Sequence, residues 1–295
     1  MALPWLAIAL AFAPPDGLPQ RLQKAVSEAM GSRSGSAVVV DVDSGQVLAS
    51  HRLDVAARRL ASPGSAVKPF TLLALLNARR VKPGAALVCG RKLSIDGRRL
   101  DCTHPATPLP LDATAALAYS CNFFFATFAG GLRDAELPET FARVGLSSPS
   151  GFARDEVLGW ATPASMPGQR ELQALGERHV EVTPLGLLAA YRKLAQRRKL
   201  AEPPDQGLRT IYAGLEAAAV YGTARLAQPP GVAVAGKTGT SGHAWFAGFA
   251  PAAQPRIAVV IFLERGSGGG DAAPIAGRIF RELATEPRPS RSGQP

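Results

Sequence analysis

The stretches of this 295-residue sequence that favour extended chain stand at its two ends, and the helix-favouring stretches lie between them. Near the start, Ser36-Ala37-Val38-Val39-Val40-Asp41-Val42-Asp43 reads as a strand, Ser44-Gly45 as a turn and residues 46–50 as the returning strand. Near the end, residues 232–240, 244–249 and 257–263 form three more β-rich runs. Helical patterns fall at about 65–79, 111–128, 184–197 and 211–226, and an amphipathic helix at 271–283 closes the chain after the glycine-rich loop 266–270. The 111–128 pattern is broken near Ser120. Strands at both ends with helices between them predict an α+β fold built on one antiparallel sheet.

Three short polar motifs sit on this framework in a fixed order: Ser65-Ala66-Val67-Lys68, Ser120-Cys121-Asn122 and Lys237-Thr238-Gly239-Thr240. Ser-x-x-Lys alone is a weak signal. The other two carry more weight, because asparagine occurs only at Asn77 and Asn122 and lysine is scarce beside arginine. Together they supply the parts for acylating a serine without a histidine. Positions i and i+3 share a helix face, so Lys68 is expected to reach the Ser65 hydroxyl. A lysine serves as base only if burial or a neighbouring cation lowers its pKa, and Lys237 is the expected neighbour. A helix N-terminus at Ser65 would direct backbone N–H groups at a developing oxyanion. Lys237, Thr238 and Thr240 suit a carboxylate, and Gly236 and Gly239 are expected to leave the strand edge bare for an extended peptide.

The segments around these motifs resemble the transpeptidase domain of penicillin-binding proteins. Ser62-Pro63-Gly64-Ser65-Ala66-Val67-Lys68-Pro69-Phe70 is similar to their nucleophile segment, and Ala118-Tyr119-Ser120-Cys121-Asn122-Phe123-Phe124-Phe125 to their second motif. Val182-Thr183-Pro184-Leu185, Val234-Ala235-Gly236-Lys237-Thr238-Gly239-Thr240 and Ala244-Trp245-Phe246-Ala247-Gly248-Phe249-Ala250-Pro251 resemble later segments, so the likeness spans about residues 36–283. It implies a five-stranded antiparallel sheet flanked by helices, plus an all-helical lobe, with the active site in the cleft between them. It further implies a D,D-transpeptidase acting on D-Ala-D-Ala stem peptides of peptidoglycan through an acyl-enzyme on Ser65. Lys68 would be the base, Ser120 and Asn122 would handle the leaving amine and the substrate amide, and Lys237, Thr238, Gly239 and Thr240 would bind substrate. The Thr240 N–H would be the second oxyanion donor. β-Lactams and peptidoglycan stem peptides are the expected ligands, with cell-wall or division proteins as further partners. No cofactor is expected.

Alternatives remain open at this stage. A D,D-carboxypeptidase differs only in the acceptor. A serine β-lactamase would need a deacylating water, and Glu171-Leu172-Gln173-Ala174-Leu175 lacks the class A spacing. No long N-terminal pedestal or glycosyltransferase module is recognisable, which keeps a non-catalytic β-lactam receptor or scaffold in view.

The remaining features concern the compartment. Residues 1–13 are apolar and end in Ala11-Phe12-Ala13, the pattern of a secretory leader without a preceding basic residue. Residues 1–20 are therefore expected to be a leader, 21–286 the transpeptidase-like domain and 287–295 a disordered tail, with the protein outside the cytoplasm in the periplasm or cell envelope. Cys89 and Cys102 flank a stretch with a central Asp96-Gly97 turn, and a hairpin there could close a disulfide worth about 3 kcal/mol. Cys121 is expected to pack inward. His51, His104, His179 and His243 are isolated and show no metal-ligand spacing, so no metal is expected. The net charge of +10 is spread over scattered arginines without interleaved aromatics, which argues against nucleic-acid binding.

Overall fold

Five strands form one antiparallel sheet: β1 (Gly35–Asp41), β2 (Val47–His51), β3 (Ala235–Thr240), β4 (Ala244–Ala250) and β5 (Ile257–Leu263), in the order β2-β1-β5-β4-β3. The computed structural model describes residues 17–82, 84–166, 168–200 and 205–284. Residues 1–16 of the expected leader and the tail 287–295 lie outside the described residues, whereas residues 18–20, expected in the leader, open the first helix, Leu18–Met30. None of the described helices is long and apolar enough to cross a membrane.

Successive side chains of a strand point to opposite faces, and here both faces are buried. Val38, Val40, Trp245, Phe249, Val260 and Phe262 enter one core, whereas Ala37, Val39, Phe246, Val259 and Ile261 enter the other. That is why the strands read as continuous apolar runs rather than as alternating ones. Helices α1 (Leu18–Met30) and α7 (Ala273–Arg281) cover the second core. The first core and the helical lobe draw on α2 (Lys68–Asn77), α3 (Ala113–Ala118), α4 (Asn122–Ala129), α5 (Pro184–Arg198) and α6 (Gln206–Val220), together with the shorter helices Leu53–Arg58, Glu136–Val144 and Gln169–Ala174. Of these, α5 packs directly on β4 and β5.

Local chemistry sets the helix starts. Asp112, Thr183 and Asp205 cap α3, α5 and α6 by accepting the N–H groups of Ala115, Gly186 and Leu208 at 2.7, 3.1 and 2.7 Å. Pro184 occupies the first turn of α5, where its missing N–H costs nothing.

The expected α+β arrangement with a five-stranded antiparallel sheet is what the chain adopts. Two local expectations differ, and the expected break near Ser120 is found. The segment of the first motif opens as a 3-10 turn, Gly64–Val67, before α2 takes over at Lys68. The 111–128 pattern is two helices, because Ser120 adopts a left-handed φ of 59° between them. The pattern expected at 211–226 ends at Val220, where Gly222 packs so tightly that a Cβ would lie 2.2 Å from the Ala118 carbonyl. The Asp96-Gly97 turn does form, with φ of 49° and 71° joining the two-residue strands Ser94–Ile95 and Arg98–Arg99.

Candidate active site

Ser65 is the second residue of the 3-10 turn, and three distant elements hold that turn by its carbonyls and amides. Trp245 Nε1 of β4 donates to the Ser62 carbonyl at 3.1 Å, and the buried Tyr191 hydroxyl of α5 donates to the Ala66 carbonyl at 2.8 Å. The Gly64 N–H donates to the Gly176 carbonyl at 2.9 Å. From below, β3 comes close enough that a Cβ on Gly239 would sit 2.3 Å from the Pro63 carbonyl. The two strand glycines have a packing role that the sequence did not announce. Gly239 makes room for the turn that carries Ser65, and Gly236 for the Phe246 ring, 2.6 Å from where its Cβ would be.

Lys68 is fully buried, and its Nζ donates to the Ser120 carbonyl at 2.8 Å, Asn122 Oδ1 at 2.6 Å and Ser120 Oγ at 3.2 Å. An ammonium has three donors, so these acceptors satisfy the charged form completely. Burial nevertheless lowers the Lys68 pKa to about 8, against an opposing pull from Cys121, Cys102 and Glu177. The expected direct contact with Ser65 is absent from the hydrogen bonds that Lys68 makes. The side chain runs instead to the left-handed Ser120 carbonyl, which the helix break turns toward it.

Lys237 is likewise fully buried, on β3, and donates to the Thr238 carbonyl at 3.0 Å and Thr223 Oγ1 at 3.4 Å. Its pKa falls well below the ordinary lysine value, first through burial and then through the Lys68 charge. The expected repulsion between the two lysines is therefore felt at Lys237, whereas Lys68 is lowered by burial. Thr238 Oγ1 donates to Thr223 Oγ1 at 2.7 Å. Thr223 was not singled out in the sequence; it follows the α6 terminus, and only the close approach of Gly222 to α3 brings it to β3. Thr240 is exposed, and its Oγ1 accepts the Gly268 N–H of the glycine-rich loop at 2.9 Å.

These groups meet around one cavity of about 490 Å³, lined among others by Ser65, Ser120, Asn122, Thr223, Thr238 and Thr240. The hydroxyls of Ser65, Ser120, Thr223, Thr238 and Thr240 thus share one opening, and the two buried lysines stand behind it, Lys68 against Ser120 and Asn122 and Lys237 against Thr223, an arrangement that suits serine acylation next to an anion site. Trp245 and Phe246 are core residues of β4. Trp160 is 40% exposed and donates to Glu181.

The Cys89–Cys102 disulfide is not formed, because the three cysteines are free and Cys102 Sγ turns to Cys121 Sγ, 3.8 Å away. The two sulfurs share a hydrogen bond that lowers the Cys102 pKa and raises that of Cys121. The hairpin and the helix break also bring in His104, so Cys89, Cys102, His104 and Cys121 present ligand atoms all within 4.8 Å of one another. Sequence spacing concealed this group, since its members come from two separate segments and no Cys-x-x-Cys pair announces it.

Residues 35–284 match the family described as penicillin binding protein transpeptidase domain. Peptidoglycan D,D-transpeptidase FtsI of Escherichia coli K12 is 27% identical over 313 residues, which cover 84% of this chain and 51% of that protein. Peptidoglycan D,D-transpeptidase PbpA of Mycolicibacterium smegmatis is 26% identical over 260 residues, 72% of this chain and 53% of that protein. The chain thus spans about half the length of these curated relatives. Among solved structures, Pseudomonas aeruginosa PBP2 superposes with a TM-score of 0.77 at 22% identity, covering 91% of this chain and 78% of that one. A Burkholderia ambifaria peptidoglycan glycosyltransferase gives 0.76 at 24% identity, with 92% and 96% covered.

Proposed function

Because this chain belongs to the penicillin-binding protein transpeptidase domain family, we propose that it is a D,D-transpeptidase that cleaves D-Ala-D-Ala stem peptides of peptidoglycan through an acyl-enzyme on Ser65. The observation that carries this reading is Lys68: a fully buried amine, three residues after the only serine of the nucleophile turn, with its pKa lowered to about 8.

At neutral pH such a lysine is uncharged in about one molecule in ten, against fewer than about one in a thousand for an exposed lysine. Uncharged Lys68 keeps two donors for the Ser120 carbonyl and Asn122 and gains a lone pair. Ser65 Oγ attacks the carbonyl of the penultimate D-alanine while its proton passes to Lys68, whose amine turns from the Ser120 hydroxyl, its longest contact at 3.2 Å, toward Ser65 to receive it. Backbone N–H groups of Ser65 and Thr240 receive the oxyanion. Of the three Lys68 partners, only the Ser120 hydroxyl can both accept and donate, so it carries the proton to the leaving amine. D-Alanine departs, an ester remains on Ser65, and an amine of a neighbouring strand accepts the acyl group. Lys237, Thr238 and Thr240 hold the terminal carboxylate, whose negative charge favours the ammonium form of Lys237. Thr223 orients both of its neighbours. β-Lactams enter the same cavity and acylate the same oxygen. The substrate lies outside the cytoplasm, which agrees with the leader read in residues 1–13.

The test is labelling with a fluorescent penicillin, followed by D-alanine release from a pentapeptide with and without an amine acceptor. A long-lived adduct lost in Ser65→Ala, with acceptor-dependent product, is expected. Absence of an adduct would overturn the reading in favour of a non-catalytic role. Rapid turnover of the label would replace it with a β-lactamase, and release to water alone with a carboxypeptidase.

A further inference from the structure

From the side chains gathered behind the second motif, we propose that Cys89, Cys102, His104 and Cys121 form a tetrahedral Zn²⁺ site that clamps the 86–112 loop to the segment carrying Ser120 and Asn122. The four ligand atoms lie within 4.8 Å of one another. Zn–S bonds of about 2.3 Å in a tetrahedron place two sulfurs about 3.8 Å apart, and Cys102 Sγ and Cys121 Sγ are separated by 3.8 Å. A disulfide would require about 2.05 Å.

The histidine gives a second, independent observation. His104 is 6% exposed, and its Nε2 is buried without a hydrogen-bond partner. Its Nδ1 lies 2.8 Å from the Pro105 carbonyl, which can only accept, so Nδ1 carries the proton and Nε2 the lone pair. An imidazole held to a backbone carbonyl by one nitrogen and left open at the other is the usual arrangement of a zinc-ligating histidine. Orphaned buried polar atoms are rare and call for a partner.

The sulfurs are prepared in the same way. The Arg91 N–H donates to Cys89 Sγ at 3.3 Å, the Phe123 N–H to Cys102 Sγ at 3.3 Å and the Phe124 N–H to Cys121 Sγ at 3.4 Å. Each sulfur thus receives one backbone amide, which suits thiolates. Binding releases the three thiol protons to solvent, leaves the imidazole neutral and gives a site of net charge −1. Three sulfurs and an imidazole select Zn²⁺ over Mg²⁺ or Ca²⁺, which require oxygen donors.

The fold supplies a reason for such a clamp. Across residues 86–112 the regular structure amounts to two-residue strands, and stretches of that length without elements of their own need another anchor. Two links already run from this loop to the second motif: Asn122 Nδ2 donates to the Leu100 carbonyl at 3.0 Å, and Phe123 N–H to Cys102 Sγ. Cys121 stands between Ser120 and Asn122 and caps α4. A metal on Cys121 therefore fixes the left-handed Ser120 and makes the four ligands positioning residues for Lys68; this consequence, unlike the site itself, rests on the function proposed above.

The experiment uses the full chain purified under reducing conditions with zinc present, and reads metal content by elemental analysis and the absorption spectrum after exchange into Co²⁺. One zinc per chain is expected, with thiolate-to-cobalt charge transfer and the intense visible bands of a tetrahedral ion. Cys102→Ser and His104→Phe should lose the metal, and His104→Cys should retain it. If the first two do not fold, chelation of the wild-type chain replaces them: three thiols should become alkylatable as zinc leaves and be protected again on its return. Metal-free protein with a cobalt spectrum of the hydrated ion, or a mass two hydrogens lighter from a Cys102–Cys121 disulfide, would overturn the site. For the positioning role, chelation should slow penicillin acylation by about tenfold or more. Zinc bound with an unchanged acylation rate would overturn that role and leave the site standing, whereas zinc bound in a protein that never acylates would count against the proposed function alone.

Discussion

Replacing Asn122 by leucine should move the pH dependence of acylation toward acid. The proposed base is Lys68, whose burial lowers its pKa to about 8. The sign follows from the chemistry. The amine attacks the Ser65 proton only when neutral, so acylation rises with pH, by about tenfold per unit below the pKa, and levels off above it. From pH 6 to pH 8 the neutral fraction rises from about one hundredth to one half, so the rate should increase about fiftyfold. Asn122 Oδ1, at 2.6 Å, is the closest acceptor of the ammonium. A hydrogen bond to a charged group contributes about 1.5–3 kcal/mol, and each pKa unit corresponds to about 1.4 kcal/mol. The neutral amine retains part of that bond, which leaves a downward shift of about one unit in Asn122→Leu. Asn122 also contacts the 86–112 loop through Leu100, so the plateau rate will fall as well; the midpoint is independent of that loss. The assay is stopped-flow acylation by a fluorescent penicillin between pH 5.5 and about 9.5 at constant ionic strength. A flat profile, a wild-type midpoint near the ordinary lysine value, or an alkaline shift in the variant would refute the assignment of Lys68 as the base.

Other consequences are equally direct. Gly239→Ala must displace the Pro63 carbonyl, only 2.3 Å from the new Cβ; acylation should fall by about a hundredfold or more, because misplacing a reacting group by about 1 Å costs that much, and near-wild-type labelling would contradict the close-approach argument. Thr223→Val removes the hydroxyl shared by Lys237 and Thr238; the pentapeptide KM should rise by about tenfold, equivalent to about 1.4 kcal/mol, while penicillin-labelled protein still maps to Ser65, and an unchanged KM would exclude Thr223 from the anion site. Tyr191→Phe leaves the Ala66 carbonyl without its 2.8 Å donor in a buried setting; unfolding should show a loss of about 1–3 kcal/mol, and an unchanged denaturant midpoint would remove the hydroxyl from the account of how the nucleophile turn is held.

The sheet was legible in the sequence because its strands are buried on both faces: residues 257–263 read as an apolar run and are β5 to the residue. The motifs were legible because rare residue types stood in a fixed order. Harder to read was anything set by close approach between segments. The turn at Ser65 is 3-10 rather than α because Gly64 takes a φ of 52° under β3, which composition does not reveal. Thr223 lies in no motif and reaches Lys237 only through the packing of Gly222 on α3. The metal-ligating group escaped for a similar reason, since a tetrahedron formed by a hairpin and a helix break has no linear signature. A bridge between Cys89 and Cys102 was the natural reading of the spacing, yet the left-handed turn at Ser120 directs Cys121 to Cys102 instead.

The most direct measurement of the central claim is peptide mapping by tandem mass spectrometry after incubation with benzylpenicillin. The account predicts one penicilloyl group per chain, carried by the Ser65 oxygen and formed faster at pH 8 than at pH 6. An adduct on another residue, on Cys121 or Ser120 for example, or no adduct from a protein that is folded and zinc-loaded, would contradict it.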